Sequence, residues 1–130
     1  IVTSNFCSDT HSAPGHKLNL KGWKLQLPTH CGSGVCEVDG DKLKSYHDKY
    51  FHASGDGAAT FCVPLNGAHT GGSHYPRSEL REHHNFKLGG SHSLKAKMKI
   101  LSVSRHHSKK ETIVGQIHGE GGKFSSLVKL

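Results

Sequence analysis

The chain has 130 residues, enough for one domain and too few for two comfortable ones. Its 17 Lys and Arg against 10 Asp and Glu give +7 with all 13 histidines neutral, so the charge points to a polyanionic partner. With 33% apolar residues and 16 glycines it is a turn-rich chain; no apolar run approaches the ~20 residues of a membrane helix, and no heptad pattern supports a coiled coil.

Residues 1–16 are polar and read as an irregular N-terminal arm on a single domain spanning 1–130. Leu18 and Leu20, then Trp23, Leu25 and Leu27, alternate with polar residues and slip phase at Gly22, which predicts a strand with a bulge or break. Residues 28–40 read as a loop. Leu43, Tyr46, His47 and Tyr50 follow helical spacing, consistent with a short helix or turn. Ala59, Phe61, Val63 and Leu65 alternate again and stop at the turn signal Asn66-Gly67.

The even count of four cysteines reads as two disulfides, for which three pairings exist. Cys31-Gly-Ser-Gly-Val-Cys36 suits a local clip, because its glycines let a short loop close without strain. Cys7 and Cys62 are then left to tie the arm to the body. Neither the cysteine spacing nor the pairs His83-His84 and His106-His107 match a zinc finger, so no metal site and no cofactor are expected. Disulfides imply an oxidising compartment. A start at Ile1 agrees with a processed, secreted, extracellular protein.

Further along, Arg77, Glu79, Arg81 and His83 share one strand face while Leu80 takes the other. Leu94, Ala96, Met98 and Ile100 alternate with three lysines, predicting a strand with one buried and one basic face. Ile113 and Ile117 oppose Gln116 and His118, and 124–130 opens a further strand. Antiparallel strands joined by Gly-rich turns predict an all-β sandwich or barrel. The rows Arg77/Glu79/Arg81 and Gln116/His118 would on pattern alone be solvent faces. Their composition says more: Arg suits bidentate recognition of a carboxylate, and His suits proton transfer near neutral pH.

At these residues the chain resembles the alginate lyases of polysaccharide lyase family 7. Tyr75-Pro76-Arg77-Ser78-Glu79-Leu80-Arg81-Glu82 is similar to the family's Arg-Ser/Thr-Glu-Leu-Arg motif, and Gln116-Ile117-His118 to its Gln-Ile/Val-His motif. Gly22-Trp23-Lys24-Leu25-Gln26-Leu27-Pro28 resembles its opening strand, with Tyr50-Phe51 and Phe61-Cys62-Val63-Pro64 following in order. The family's third motif, a C-terminal Tyr-Phe-Lys-Ala-Gly-x-Tyr-x-Gln-like strand, has no counterpart. The resemblance implies a β-jelly-roll sandwich with a concave cleft sheet, of which these residues make the N-terminal part.

The implied reaction is β-elimination on a 4-linked polyuronate, alginate first of all. The resemblance assigns carboxylate neutralisation to Arg77 and Gln116 with help from His118, and makes His118 the base that takes the C5 proton. Glu79 and Arg81 bind and support. Ile117 leans toward guluronate-containing substrate. The tyrosine that protonates O4 belongs to the missing motif, and Tyr46, Tyr50 and Tyr75 do not match it. The rest of the unit is therefore expected on a continuation of the polypeptide or on a second chain. The competing functions are a lyase for glucuronan or another uronate polymer, a non-catalytic polyanion- or carbohydrate-binding module, and, last, a nucleic-acid binder. No basic-aromatic interleaving favours that last reading.

Overall fold

The structure, a computed structural model, describes residues 7–87, 89–103, 111–119 and 126–130. Among them the protein is all-β apart from a 3-10 turn at Pro14–His16 and one helical turn. The chain divides into two compact units, Ile1–His92 and Ser93–Leu130.

In the first unit, β1 (Trp23–Cys31), β2 (Gly34–Asp39) and β5 (Glu79–Glu82) form an antiparallel sheet in the order β2-β1-β5. The phase slip at Gly22 is a turn that precedes β1, closed by the Trp23 amide donating to the Leu20 carbonyl at 3.0 Å. Leu20 is buried by that turn, and Leu25 and Leu27 by the strand.

Residues 28–40 are not a loop. They finish β1 and build β2, and only Gly32 and Ser33 lie between the two strands. Gly32 adopts φ 64°, a left-handed conformation that costs glycine nothing and that a tight turn requires. Pro28 sits where the register shifts between Gln26 and His30, so its missing N–H interrupts no regular ladder. The Cys31–Cys36 disulfide closes this hairpin, and Cys7–Cys62 ties the arm to the body. The first is the clip expected from its spacing, and the second is the pair that this clip leaves over.

The helical spacing of residues 43–50 yields one turn, α1 (Gly40–Leu43), which lies earlier than expected. The chain cannot continue as helix because the Asp48 carboxylate accepts the Tyr50 and Phe51 amides, both at 2.8 Å, and starts an extended segment. Gly40 is buried where a Cβ would run into the carbonyl oxygens of Lys21, Trp23 and Leu20. β3 (Phe51–Ala53) pairs with β4 (Ala59–Phe61), setting the Phe51 and Phe61 rings 5.2 Å apart between centroids and tilted 58° to each other. β4 ends at Phe61, and Cys62 turns inward while Phe61, Val63 and Leu65 stay exposed.

Leu20, Leu25, Leu27, Leu43 and Phe51 form the core, with Trp23, Val38, Tyr46, Tyr50 and Leu80 packed around it. Each of the large buried side chains contributes on the order of 1.5–3 kcal/mol of transfer free energy. Leu80, Leu25 and Val38 are opposite one another across the three strands, so the sheet's inner face is apolar and its outer face polar.

The second unit holds β6 (Gln116–Ile117) and β7 (Val128–Lys129), paired antiparallel. Residues 94–100 form no strand, against the sequence expectation, and Leu94, Met98 and Ile100 are exposed. Alternation supplies a face but not the neighbour whose N–H and C=O groups a ladder needs. Phe124, expected to open a strand, lies outside the described residues, as do 1–6 of the arm and His106-His107. Among the described residues no helix is long and apolar enough to cross a membrane.

Candidate active site

The polar face of the first sheet follows from its register. Lys24 is opposite Asp39 on β2 and Arg81 on β5, and Gln26 is opposite Glu37 and Glu79. Two cross-strand rows result, Asp39–Lys24–Arg81 and Glu37–Gln26–Glu79, because residues two apart on a strand share a face. The alternation that buries Leu25 and Leu27 is thus what presents Lys24 and Gln26.

Glu37 is the hub of these rows. It accepts from Lys24 Nζ at 2.8 Å and from Gln26 Nε2 at 2.6 Å. Burial pushes its carboxyl upward, but those two hydrogen bonds and the charges of Lys24 and Arg81 outweigh that and hold it below the ordinary value. Gln26 is almost fully buried at the centre of the face, and its amide is oriented by Glu37.

Arg77 lies just ahead of β5, half-buried, with Nη1 3.2 Å from Glu79 Oε2. Glu79 therefore holds one guanidinium of the motif and leaves Arg81 in the neighbouring row with Lys24. Ser78 acts on the fold instead, since its hydroxyl donates to the Tyr50 carbonyl at 2.9 Å and fixes the strand's entry over β3. The motif Arg-Ser-Glu-Leu-Arg thus divides its work, with Arg77, Glu79 and Arg81 outward, Leu80 in the core and Ser78 as a tether.

Gln116 and His118 belong to the second unit. Gln116 is half-buried on β6, and His118 follows it, exposed. His118 Nδ1 is 2.7 Å from the Gly119 carbonyl oxygen. A carbonyl only accepts, so Nδ1 carries a proton, and in the neutral imidazole the lone pair is then on Nε2. Ile117, on the strand face opposite Gln116 and His118 in the sequence pattern, is 39% exposed. A two-residue strand in a two-stranded ribbon has too little surface to bury it.

The three tyrosines are placed as follows. Tyr46 and Tyr50 pack against the core, and Tyr75 is 70% exposed. Burial and a hydrogen bond to Asp48 push the Tyr46 phenol upward, which makes it a weak proton donor. Sequence reasoning missed Lys24, Gln26 and Glu37 as members of the polar face. For Lys24 and Gln26 the signal was present in their alternation with Leu25 and Leu27, and for Glu37 in its place between Cys36 and Val38. Side chains with metal-ligand geometry lie elsewhere, at Asp9, His11 and His47.

The family model described as alginate lyase matches residues 18–130. The chain belongs to the alginate lyase family. It is similar to the 1.0 Å crystal structure of alginate lyase A1-II′, a member of polysaccharide lyase family 7, at 44% identity and a TM-score of 0.50. A double variant of that family 7 enzyme, solved in complex with a substrate written GGMG, matches with the same identity and TM-score. Each match covers 55% of this chain and 30% of the other, so the chain spans less than a third of the length of these alginate lyases. A comparison with curated proteins yields no match.

Proposed function

We propose that this chain carries the carboxylate-binding part of a secreted polysaccharide lyase that cleaves alginate by β-elimination. The observation that carries the reading is the outer face of β1 and β5. In a member of the alginate lyase family, Lys24, Gln26 and Arg81 on that face, with Arg77 just ahead of β5, support a carboxylate-binding surface. The substrate complex of the similar A1-II′ enzyme supports an oligosaccharide as the ligand class, and the net charge of +7 suits a polyuronate.

The family resemblance assigns the roles, and the chemistry of elimination gives each a reason. The C5 hydrogen of a uronate is α to the carboxylate, and its removal builds further negative charge there. By that resemblance Arg77 offsets this charge and Gln116 donates a hydrogen bond to it, and donors arranged in advance are worth several kcal/mol. His118 Nε2 takes the C5 proton. The C5–H electron pair becomes the C4=C5 double bond, and the C4–O4 bond breaks with O4 leaving as a protonated hydroxyl. Arg81 and Glu79 bind and orient. No tyrosine of this chain matches the donor to O4, so that proton comes from a part of the family domain outside these 130 residues, on the same polypeptide or a second chain. Two disulfides support secretion.

The test is incubation of the complete domain with alginate, polyguluronate, polymannuronate and glucuronan, following the ultraviolet absorbance of the unsaturated uronate. Growth on alginate is expected. Growth on glucuronan alone moves the substrate to another uronate polymer. Binding without product makes the protein a carbohydrate-binding module.

A further inference from the structure

We propose that Asp9, His11 and His47 form a zinc-class metal site that staples the N-terminal arm to the body. No local spacing signals it, since two ligands sit in the arm and the third lies 36 residues beyond them. The three side chains can each offer one ligand atom, and these atoms all lie within 4.8 Å of one another. His47 Nδ1 is 3.0 Å from both carboxylate oxygens of Asp9, and His11 Nδ1 is 3.6 Å from Oδ2. Zinc held tetrahedrally by nitrogen and oxygen at ~2.0–2.1 Å separates its ligand atoms by about 3.3 Å. The two separations from Asp9, 3.0 and 3.6 Å, bracket that value, and the two imidazole ligand atoms lie within 4.8 Å of each other.

An ion pair alone does not call for this arrangement. One imidazolium neutralises one carboxylate, yet two imidazole nitrogens meet at Asp9. The His11 amide also donates to Asp9 Oδ1 at 2.8 Å and orients the carboxylate, as outer partners of metal ligands do. His11 adopts φ 54°, which turns its ring toward Asp9 and His47, 5.9 Å from the His47 ring. The site is accessible on one side, with the His11 side chain 86% exposed and those of Asp9 and His47 24% and 31%.

The donor set fixes the metal class. Two imidazoles and a carboxylate suit zinc, with cobalt, nickel and copper as competitors, and disfavour calcium and magnesium, which take oxygen. The four cysteines are in disulfides and do not compete. The backbone around the ligands is already placed. Thr10 Oγ1 donates to the Ala53 carbonyl at 2.6 Å, the Ala53 amide donates to the Ser12 carbonyl at 2.8 Å, and Cys7 is bonded to Cys62. The ion would displace the His47 Nδ1 proton and leave its fourth position to water.

The experiment is calorimetric titration of the full chain with zinc chloride, with cobalt chloride absorption as a second readout. One binding event per chain is expected, and zinc should raise the thermal midpoint. Asp9→Asn and His11→Asn should each weaken it at least ~10-fold, since even loss of an outer partner typically costs that much. Asparagine tolerates the left-handed backbone at position 11, and the site is at the surface, so these variants fold. His74→Gln, at an exposed histidine outside the cluster, should bind as wild type. No zinc binding, undiminished binding in both Asn variants, or equal binding of calcium chloride would overturn the proposal.

Discussion

At the scale of residues, the proposed elimination is tested by replacing single groups. His118→Ala in the complete domain should lower product formation by at least ~100-fold if His118 is the general base. Arg77→Lys replaces a planar two-pronged donor with a point charge and should cost at least ~10-fold. Near-wild-type rates of ultraviolet product in either variant would remove that residue from its role. Glu37 is a different kind of test. Its carboxyl lies below the ordinary value of 4.5 in the folded chain, so it adds stability above that pH, and this is lost as pH falls through the lower folded value. Glu37→Gln should therefore destabilise at neutral pH, with the gap to wild type closing as denaturation curves are taken to more acid pH. A gap that stays constant with pH would show that the charge of Glu37 does not couple to folding.

At the scale of elements, the two disulfides differ in what they close. Cys7–Cys62 spans 55 residues and Cys31–Cys36 only 5. Loop-closure entropy puts the long bridge at ~4 kcal/mol and the short one at ~2 kcal/mol. Denaturant titration of Cys7→Ser/Cys62→Ser and Cys31→Ser/Cys36→Ser should show that order, and the reverse would mean that the hairpin clip governs stability. Gly40→Ala should cost about 1–3 kcal/mol by overpacking, because α1 starts against three carbonyl oxygens. An unchanged denaturation midpoint would mean that the helix start can shift away.

The same elements explain what the sequence made legible. The faces of β1 and β5 were readable because Leu25, Leu27 and Leu80 alternate with polar residues. The β1–β2 hairpin was not, since Pro28 and the glycines of the cysteine clip carry the same signature as a loop. The strand expected at 94–100 failed for another reason: its pattern is local, while its partner is not. In the site, the Arg77/Glu79/Arg81 row and Gln116/His118 were readable as motifs. The Asp9–His11–His47 cluster is made by the fold of the arm and has no local pattern.

At the scale of the whole molecule, Phe61, Val63 and Leu65 in the first unit, and Leu94, Met98 and Ile100 in the second, are exposed. Apolar residues in such runs commonly mark surface that another segment covers. A chain that spans 30% of its alginate lyase relatives has such segments available in the family domain. Hydrophobic-dye fluorescence of the 130-residue chain should be high and should fall when the remaining part of the domain is supplied. Low fluorescence in the isolated chain would show that these residues are covered without it.

The β1–β2 hairpin also offers a practical handle. Its tip, Gly32–Ser33, is exposed and lies beyond both the Cys31–Cys36 bridge and the register shift after Gln26. Extra residues placed there extend into solvent at a loop tip, the kind of position where insertions are tolerated. The covalent bond behind them keeps the strain from reaching Lys24 and Gln26. A short affinity tag or a fluorophore attachment sequence at this tip can therefore report on the protein in a polysaccharide gel without disturbing the charged face that would grip the polymer.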